Sequence, residues 1–388
     1  MEKIKIGDVC DILNGFAFKS DQYVEDGIRI IRIANVQKGY IEDNVPVFYP
    51  INSVGLKYML EEGDLLMSLT GNVGRVAVLQ KKLLPAALNQ RVACLRIKTN
   101  RITKSFLFHI LNSDFFEQQC NRASKGVAQK NISTEWIKEY EIPMCSNEEQ
   151  LKISMVLDKI RNIIELRKNE LHVLDNLVRA RFIELFGAPD LNDKNWDVYK
   201  MEQLCEIGSS KRIYQNEQST VGIPFLRISD LVNRMDTGSK DCVLYISKKR
   251  FAELKEQGLV PVSGDILITA RGTLGRCYIV QKDDEFYFQD GMITWLSKYN
   301  AKIRPLYISY LFEMSGFRKQ IDSLQAGSTV AYLSISMTKK LDVMVPPIEL
   351  QNQFANFVAS VDKSKVKVQK ALDETQKLFD SLMQQYFG

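Results

Sequence analysis

The chain has 388 residues, enough for two or three domains that each bury a core. Its 45% apolar and 26% charged content is ordinary for a globular protein, and a net charge of +5 excludes a histone-like basic wrapper. Seven cysteines without a CxxC pair argue against a disulfide framework or a zinc site. Since no apolar run approaches the roughly 20 residues needed to span a bilayer, we expect a cytoplasmic protein.

The first part of the chain predicts short strands followed by a helix. Ile28–Ile33, Asp64–Met67, Val76–Leu79 and Val92–Ile97 have the apolar, β-branched composition of strands and are separated by turn residues. A helical pattern follows from Ser105 to Cys120. Because the strands precede the helix without βαβ alternation, an α+β fold is favoured over a Rossmann-type sheet.

A long helix is predicted next. From Asn147 to Leu185 the chain contains no proline or glycine, and apolar residues recur at alternating steps of three and four. This spacing predicts a coiled-coil helix of about 37 residues, roughly 55 Å long. The predicted seam consists of Ile153, Leu157, Ile160, Ile164, Leu171, Leu174 and Val178.

The whole order then repeats about 200 residues later. The clearest pair is Glu61–Arg75 and Val262–Arg276, which share a Gly-Asp strand entry and a glycine turn. The second copy predicts strands at 224–228, 265–268, 277–280 and 292–296 and a helix at 305–324. A second coiled-coil helix is predicted from Glu349 to Phe387. Its seam contains Val361, Val368, Leu372, Phe379 and Leu382.

The connectivity predicts how the two long helices pack. The first ends where the second α/β domain begins, and the second begins where that domain ends, so their seams can meet only in antiparallel orientation. We expect an α+β fold with two mixed α/β domains in a pseudo-two-fold repeat, joined by two antiparallel coiled-coil helices. The predicted domains are residues 1–147, 148–188, 189–347 and 348–388. An intermolecular coiled coil is the alternative.

Sequence motifs for catalysis are missing from the chain. His109 and His172 lie in helical patterns without a neighbouring cysteine or histidine. The sequence contains no phosphate-binding GxxxxGK[ST] loop and no GxGxxG fingerprint after a strand. An aromatic-flanked Asn-Pro-Pro motif for methylating amino groups is also missing. We predict a non-enzyme that binds no cofactor or metal itself.

Polar residues on the repeated turns are better candidates for function. Arg, Lys, Asn and Gln make bidentate contacts to guanine and adenine, and small hydroxyls on glycine turns approach phosphates closely. The glycines and strands match between the repeats while these polar residues differ, as two different DNA sequences would require; neutral surface drift is the alternative. The predicted DNA-binding residues are Arg32, Asn35, Lys38, Thr70, Asn72, Arg75, Gln90, Arg91, Lys130, Asn131, Arg227, Ser229, Asp230, Arg271, Thr273, Arg276, Gln289, Thr329 and Tyr332.

This arrangement resembles the specificity subunit of type I restriction-modification systems over its full length. The resemblance is carried by the strand entries Gly63–Leu66 and Gly264–Leu267, the helix start Pro346–Gln353, and the Phe186 to Trp196 junction. The first helix start, Ile142–Gln150, departs slightly because it keeps only one proline with the Glu-Gln pair.

The resemblance implies a non-catalytic subunit that binds double-stranded DNA at a bipartite, asymmetric target, one half-site per domain. It implies two methyltransferase subunits, recruited through the helices, and restriction subunits. S-adenosylmethionine, ATP and Mg²⁺ would be bound only by those partners. A coiled-coil scaffold that binds no DNA is the alternative function, and a fused methyltransferase is disfavoured by the missing motifs.

Overall fold

The computed structural model describes residues 2–124, 130–325 and 331–388, and the chain divides into two compact units. Unit 1 contains Met1–Asn169 and Gln369–Gly388, and unit 2 contains Glu170–Val368. The division falls within both long helices. Each unit therefore holds one α/β domain together with a segment of each helix.

The elements that begin in the first half of the chain alternate short strands with turns and short helices. The strands are β1 (Glu2–Lys5), β2 (Cys10–Asn14), β3 (Ile28–Ile31), β4 (Phe48–Tyr49), β5 (Leu65–Ser68), β6 (Val76–Val78), β7 (Ala86–Leu88), β8 (Val92–Ile97) and β9 (Glu141–Met144). The helices are α1 (Ile6–Val9), α2 (Lys104–Leu111), α3 (Asp114–Ala123), α4 (Thr134–Glu139) and α5 (Asn147–Phe186). Single 3-10 turns occur at Ser20–Gln22, Ile33–Asn35, Ile51–Ser53, Leu56–Tyr58 and Lys81–Leu83.

The second half of the chain has corresponding elements. The strands are β10 (Asp197–Lys200), β11 (Glu206–Gly208), β12 (Gln218–Ser219), β13 (Ile223–Leu226), β14 (Tyr245–Ile246), β15 (Ile266–Thr269), β16 (Cys277–Ile279), β17 (Tyr287–Phe288), β18 (Ile293–Ser297) and β19 (Asp342–Val345). The helices are α6 (Ile228–Thr237), α7 (Lys248–Glu256), α8 (Pro305–Leu311), α9 (Ser315–Leu324), α10 (Ile335–Lys339) and α11 (Ile348–Phe387). Two further 3-10 turns lie at Met201–Gln203 and Gln215–Glu217.

The sheets of the two units follow the same plan. Unit 1 has an antiparallel sheet in the order β2-β8-β5-β6, and unit 2 has β11-β18-β15-β16. A smaller mixed sheet contains one parallel pair in each unit, β3 with β7 and β13 with β17. The central strands β5 and β15 are buried at every position, which explains why their sequences are continuous apolar runs. The predicted α+β class and internal duplication are confirmed.

Two stretches that were each predicted as one continuous helix form two helices in the structure. The stretch from Ser105 to Cys120 forms two helices, α2 and α3, because the Ser113 hydroxyl accepts a hydrogen bond from the Phe116 backbone N–H at 3.2 Å and caps a new helix. The predicted helix at 305–324 likewise divides into α8 and α9. The apolar pattern continues across both breaks, so periodicity alone did not reveal them.

Within unit 1 the two long helices run antiparallel. Leu157 of α5 belongs to the same buried cluster as Met383 and Phe387 near the end of α11. Further along α5, Arg167 donates hydrogen bonds to the Ala371 carbonyl and the Thr375 hydroxyl, which lie earlier in α11. As α5 advances, its partners in α11 therefore move back along the chain.

Unit 2 shows the same antiparallel packing with different residues. Lys365 forms an ion pair with Asp175, while Phe186, further along α5, packs at 5.4 Å between ring centroids against Phe354. All twelve predicted seam residues are buried or half-buried. The seam thus supplies part of the core of each unit.

A buried glutamine joins the start of α5 to the α/β domain of unit 1. The Gln150 side-chain oxygen accepts from the Thr103 backbone N–H at 2.8 Å. Its amide nitrogen donates to the carbonyls of Arg101 at 2.9 Å and Cys145 at 3.0 Å. One fully buried side chain therefore satisfies three backbone groups where a loop meets the helix.

Gln351 makes the same three contacts in unit 2. It accepts from the Arg304 backbone N–H at 2.8 Å and donates to the carbonyls of Lys302 and Pro346, both at 2.9 Å. The glutamine near the start of each long helix is thus explained by packing. We call these two residues the anchoring glutamines.

We expect Gln351→Leu to lower the free energy of unfolding by about 3 kcal/mol, because it leaves buried backbone groups without partners. Urea unfolding followed by tryptophan fluorescence measures this change. The matched control is Gln353→Leu, since Gln353 is exposed on the same turn. Equal unfolding midpoints for the two variants would contradict the anchoring role.

Candidate nucleic-acid interface

A glycine turn after the central strand has identical backbone bonding in the two units. In unit 1 the Arg75 N–H donates to the Ser68 hydroxyl and the Gly74 N–H to the Ser68 carbonyl, both at 3.0 Å. In unit 2 the N–H groups of Arg276 and Gly275 donate to Thr269 at 3.0 and 2.9 Å. Gly74 and Gly275 have φ of 81° and 72°, a region that favours glycine. The glycines are therefore structural.

Three segments converge beside this turn in unit 1. The Leu69 N–H donates to the Arg91 carbonyl at 3.0 Å, and the Ile132 N–H donates to the Leu69 carbonyl at 2.9 Å. Thr70 and Asn131 form an isolated antiparallel bridge. The structure thus brings together three segments that carry predicted DNA-binding residues, those around Thr70, Arg91 and Asn131.

A fourth segment, which the sequence analysis missed, lies against the same place. The Phe16 N–H donates to the Leu88 carbonyl, and the Gln90 N–H donates to the Phe16 carbonyl, both at 2.9 Å. A Cβ on Gly15 would lie 2.2 Å from the Asn89 carbonyl oxygen, so only glycine allows this approach. The Phe16 side chain remains 41% exposed. We call Phe16, Thr70, Asn72, Gln90, Arg91, Lys130 and Asn131 turn cluster 1.

Unit 2 repeats this convergence. The Ala270 N–H donates to the Met292 carbonyl at 2.9 Å, the Leu333 N–H donates to the Ala270 carbonyl at 3.0 Å, and Arg271 bridges Tyr332. The segment after β11 joins them, because the Gly291 N–H donates to the Ser209 hydroxyl at 3.2 Å. We call Ser209, Arg212, Arg271, Thr273, Gln289, Asp290 and Tyr332 turn cluster 2.

Arg212 is a second residue that the sequence analysis missed. Its guanidinium forms an ion pair at 2.9 Å with Asp290, next to Gln289. The signal that could have found both missed segments is the 195-residue shift between Arg32 and Arg227, because the same shift relates Phe16 to Lys211. Thr329, also predicted to bind DNA, lies outside the described residues.

Asn35 and Asp230, both predicted to contact DNA, have structural partners within the protein. Each side chain accepts a hydrogen bond from the backbone N–H three residues earlier, Arg32 for Asn35 at 2.8 Å and Arg227 for Asp230 at 2.9 Å. Asn35 also donates to the Glu42 carbonyl at 2.8 Å and is buried. Both residues therefore have a structural role, because they cap the segment that follows β3 or β13.

Lys38 is held by acidic neighbours rather than presented to a ligand. Its ammonium group lies 2.6 Å from Asp114 and 2.8 Å from Glu117. Burial opposes the charged form, but these hydrogen bonds outweigh it and raise the pKa of Lys38 above its ordinary value. Because two carboxylates neutralise one cation, Lys38 is poorly placed to attract a phosphate.

The other predicted cations near this surface also have partners. Arg276 pairs with Asp236 at 2.6 Å, and its hydrogen bond lowers the pKa of that carboxyl below the ordinary value. Arg227 pairs with Asp230 at 3.2 Å, and Arg75 donates to the neutral Gln37 side chain. Ser229 is exposed in the first turn of α6. Like Arg75, Arg32 has no carboxylate partner among the described residues, and its guanidinium donates to the Val45 carbonyl at 3.0 Å.

Within the turn clusters, Arg91 and Arg271 are exposed and form no ion pair with a described carboxylate, and Lys130 donates only to the Asn121 side chain, at 2.9 Å. Exposed cations, amides and aromatic rings on loops over a rigid sheet are the side chains that contact nucleic acids. Within the described ranges, no group of His, Cys, Asp and Glu has a metal-binding arrangement. No described helix is long and apolar enough to cross a membrane.

A cavity of about 800 Å³ in unit 1 is a separate feature. Its lining includes Tyr40, Phe115, Phe379 and the buried His109. The His109 imidazole contacts Asp158 at 2.9 Å, but burial outweighs this carboxylate and lowers the pKa of His109 below its ordinary 6.5. Its neutral ring packs near aromatic neighbours, so this histidine is structural, as its helical sequence context indicated.

Comparisons with known proteins agree with this architecture. The family model described as the type I restriction modification DNA specificity domain matches residues 1–176 and 193–375. The chain therefore belongs to the family of type I restriction-modification specificity subunits. The match occurs twice, in agreement with the duplicated sheets.

Individual proteins similar to this chain are also described as type I restriction enzyme specificity subunits. The EcoBI specificity subunit of Escherichia coli is 24% identical over 99% of this chain and 85% of its own length. The MjaVIII specificity subunit of Methanocaldococcus jannaschii is 31% identical over 50% of this chain, and the S.HindORF215P subunit of Haemophilus influenzae is 27% identical over 43%. In these two alignments the chain spans less than half of the relative, 47% and 42%.

Solved structures show the same fold. The S subunit from M. genitalium is similar over 100% of this chain and 96% of its own, with a TM-score of 0.57 and 16% identity. A second structure, reported with the assembly and conformational transition of the type I R-M system, has a TM-score of 0.57 and 15% identity over 100% of this chain and 97% of its own.

The environment of His109 predicts a pH dependence of stability. A folded-state pKa below 6.5 means that the unfolded chain takes up the proton first as pH falls. The stability from the neutral ring is therefore present above pH 6.5 and is lost as pH falls toward the folded-state pKa. As pH is lowered from 6.5, we expect the urea midpoint of the wild type to decrease more steeply than that of His109→Tyr. This variant carries the residue that unit 2 has at the matching position, Tyr310. A pH-independent difference between the two would contradict the assignment.

Proposed function

We propose that the chain binds double-stranded DNA at a bipartite, asymmetric target, with turn cluster 1 contacting one half-site and turn cluster 2 the other. The observation that carries this proposal is the duplicated backbone with different side chains. Thr70 and Asn131 occupy the bridge that Arg271 and Tyr332 occupy in unit 2. A shared scaffold with different polar residues suits two different sequences, because specificity depends on side-chain contacts to base edges.

The affinity in this proposal comes partly from charge. Arg91, Lys130 and Arg271 supply cations on loops that the sheets hold in place, and such cations contact the phosphate backbone and fix the register of a protein on a duplex. Amides at Asn72, Gln90, Asn131 and Gln289 supply donor and acceptor pairs for base edges. The net charge of +5 is small, so binding depends on this local arrangement.

The same proposal assigns the chain no catalysis of its own. Methyltransferase and restriction subunits would bind S-adenosylmethionine, ATP and Mg²⁺, and this chain would deliver them to the target in the cytoplasm. The length of α5 and α11 is proposed to determine how many base pairs remain unread between the half-sites.

An exposed apolar stripe on α5 supports the recruitment of methyltransferase subunits. In unit 1 it contains Met155, Val156, Ile163 and Leu166, all at least 41% exposed. At about 100° per residue these side chains lie roughly a third of a turn from the seam, so α5 carries two apolar faces. Described residues of α11 expose only Val366 and Leu378 among large apolar side chains. Contiguous exposed apolar surface is typical of a protein interface.

We expect the full-length chain, with its methyltransferase subunit, to select two separated sequence blocks from a randomised duplex library. Replacing residues 1–147 with those of another specificity subunit should change one block and leave the other intact, because each unit reads its own half-site. Sequencing of the bound fraction measures this. The unchanged block is the internal control. Selection of no sequence, or a change in both blocks, would count against the proposal.

We further expect Leu166→Glu to weaken retention of the methyltransferase subunit in co-purification about 10-fold or more, since a charge would enter an apolar interface. Val366→Glu is the matched control, because Val366 is an isolated exposed residue of α11. Both variants should keep the wild-type unfolding midpoint. Equal retention by the two variants would show that the stripe is not the docking face.

A further inference from the structure

We infer that Arg271, whose guanidinium lies over the Tyr332 ring, reads a guanine in the half-site bound by unit 2. This inference rests on the proposed function and adds the base and the side chains that recognise it. It concerns one pair of side chains within one unit, so it can fail while sequence-specific binding by the chain still holds.

Arg271 is held by an aromatic ring rather than by a carboxylate. Its guanidinium carbon lies 5.0 Å from the centroid of the Tyr332 ring, within range of a cation–π contact. The backbones of the two residues form an antiparallel bridge, so strand pairing fixes both Cα positions. Among the described residues Arg271 forms no ion pair, whereas Arg212 and Arg276 are paired with Asp290 and Asp236.

Within the described ranges, no hydrogen bond uses the guanidinium donors of Arg271. A guanidinium presents its N–H groups in a planar fork, and stacking on an aromatic ring restrains that plane without consuming the donors. A restrained side chain loses less conformational entropy when it binds. The acceptor pair that matches the fork in a DNA groove is O6 and N7 of guanine in the major groove.

Unit 1 has no such pair at the matching position. Thr70 and Asn131 form the equivalent backbone bridge, but neither side chain carries a charge or a ring. The arginine of turn cluster 1, Arg91, lies on a different loop. The two units therefore carry different side chains on an equivalent backbone bridge, so substitutions can transfer the Arg-Tyr pair to unit 1.

The first test measures base preference position by position. The full-length chain is bound to duplexes carrying its selected target, with each base pair of the unit 2 block replaced in turn. The wild type should prefer G·C at one position by about 10-fold or more. Arg271→Ala should abolish that preference alone, Tyr332→Leu should reduce it, and Tyr332→Phe should keep it because the ring face remains. Lys282→Ala, which removes an exposed cation from the same unit, is the charge-matched control.

Each other outcome overturns the inference. A uniform loss of affinity over all sequences for Arg271→Ala, with a smaller salt dependence, would make Arg271 a phosphate contact. Unchanged binding would make it a surface residue. If the wild type prefers no sequence at all, the proposed function fails instead, and the two failures are thus distinguishable.

The second test transfers the pair. The double variant Thr70→Arg, Asn131→Tyr places the same side chains on the bridge of unit 1. Its half-site should acquire a preference for guanine at one position, while the block read by unit 2 stays unchanged. Retention of the original unit 1 block by a folded, DNA-binding double variant would contradict guanine reading by this pair.

Discussion

The anchoring glutamines, Gln150 and Gln351, are the contacts on which the rest of each unit depends. Each is a buried amide whose oxygen and nitrogen satisfy three backbone groups where the α/β domain meets the start of a long helix. A buried backbone group without a partner costs about 1–3 kcal/mol, so the loop and the helix cannot separate cheaply. This attachment, together with the shared apolar core, holds each turn cluster in a fixed orientation on its helix, and precise placement of side chains on loops requires a rigid support.

The helix seams add a second constraint, because their polar interruptions differ between the units. In unit 1, Arg167 bonds to Thr375, and in unit 2, Lys365 pairs with Asp175. A polar residue in an apolar seam reduces stability but selects one register, since any shift leaves it buried without its partner. The steps of three and four residues are compatible with more than one register. The two unlike interruptions remove that ambiguity.

The sequence predicted secondary-structure elements more directly than the environment of individual polar side chains. β8 (Val92–Ile97) and the extent of the long helices followed from apolar spacing, which burial imposes directly. Asn35, a predicted DNA contact, caps a turn, and because the residue types that read bases also cap turns, sequence alone does not distinguish the two roles. Phe16 was not among the predicted residues because its spatial neighbours Asn89 and Gln90 are distant in sequence, and local patterns carry no information about such approaches.

Duplication has separated the residues that hold the scaffold from those that differ between the units. Gly74 and Gly275 make the same turn, whereas Thr70 and Arg271, on the strand side of those turns, have unrelated chemistry. Exposed side chains whose backbone is already paired can change with little cost in folding free energy. The same substitutions alter the donors and acceptors offered to a base. Under the proposed function, a change of recognised sequence is therefore accessible by point mutation without loss of the fold, while a change at the anchoring glutamines would affect both.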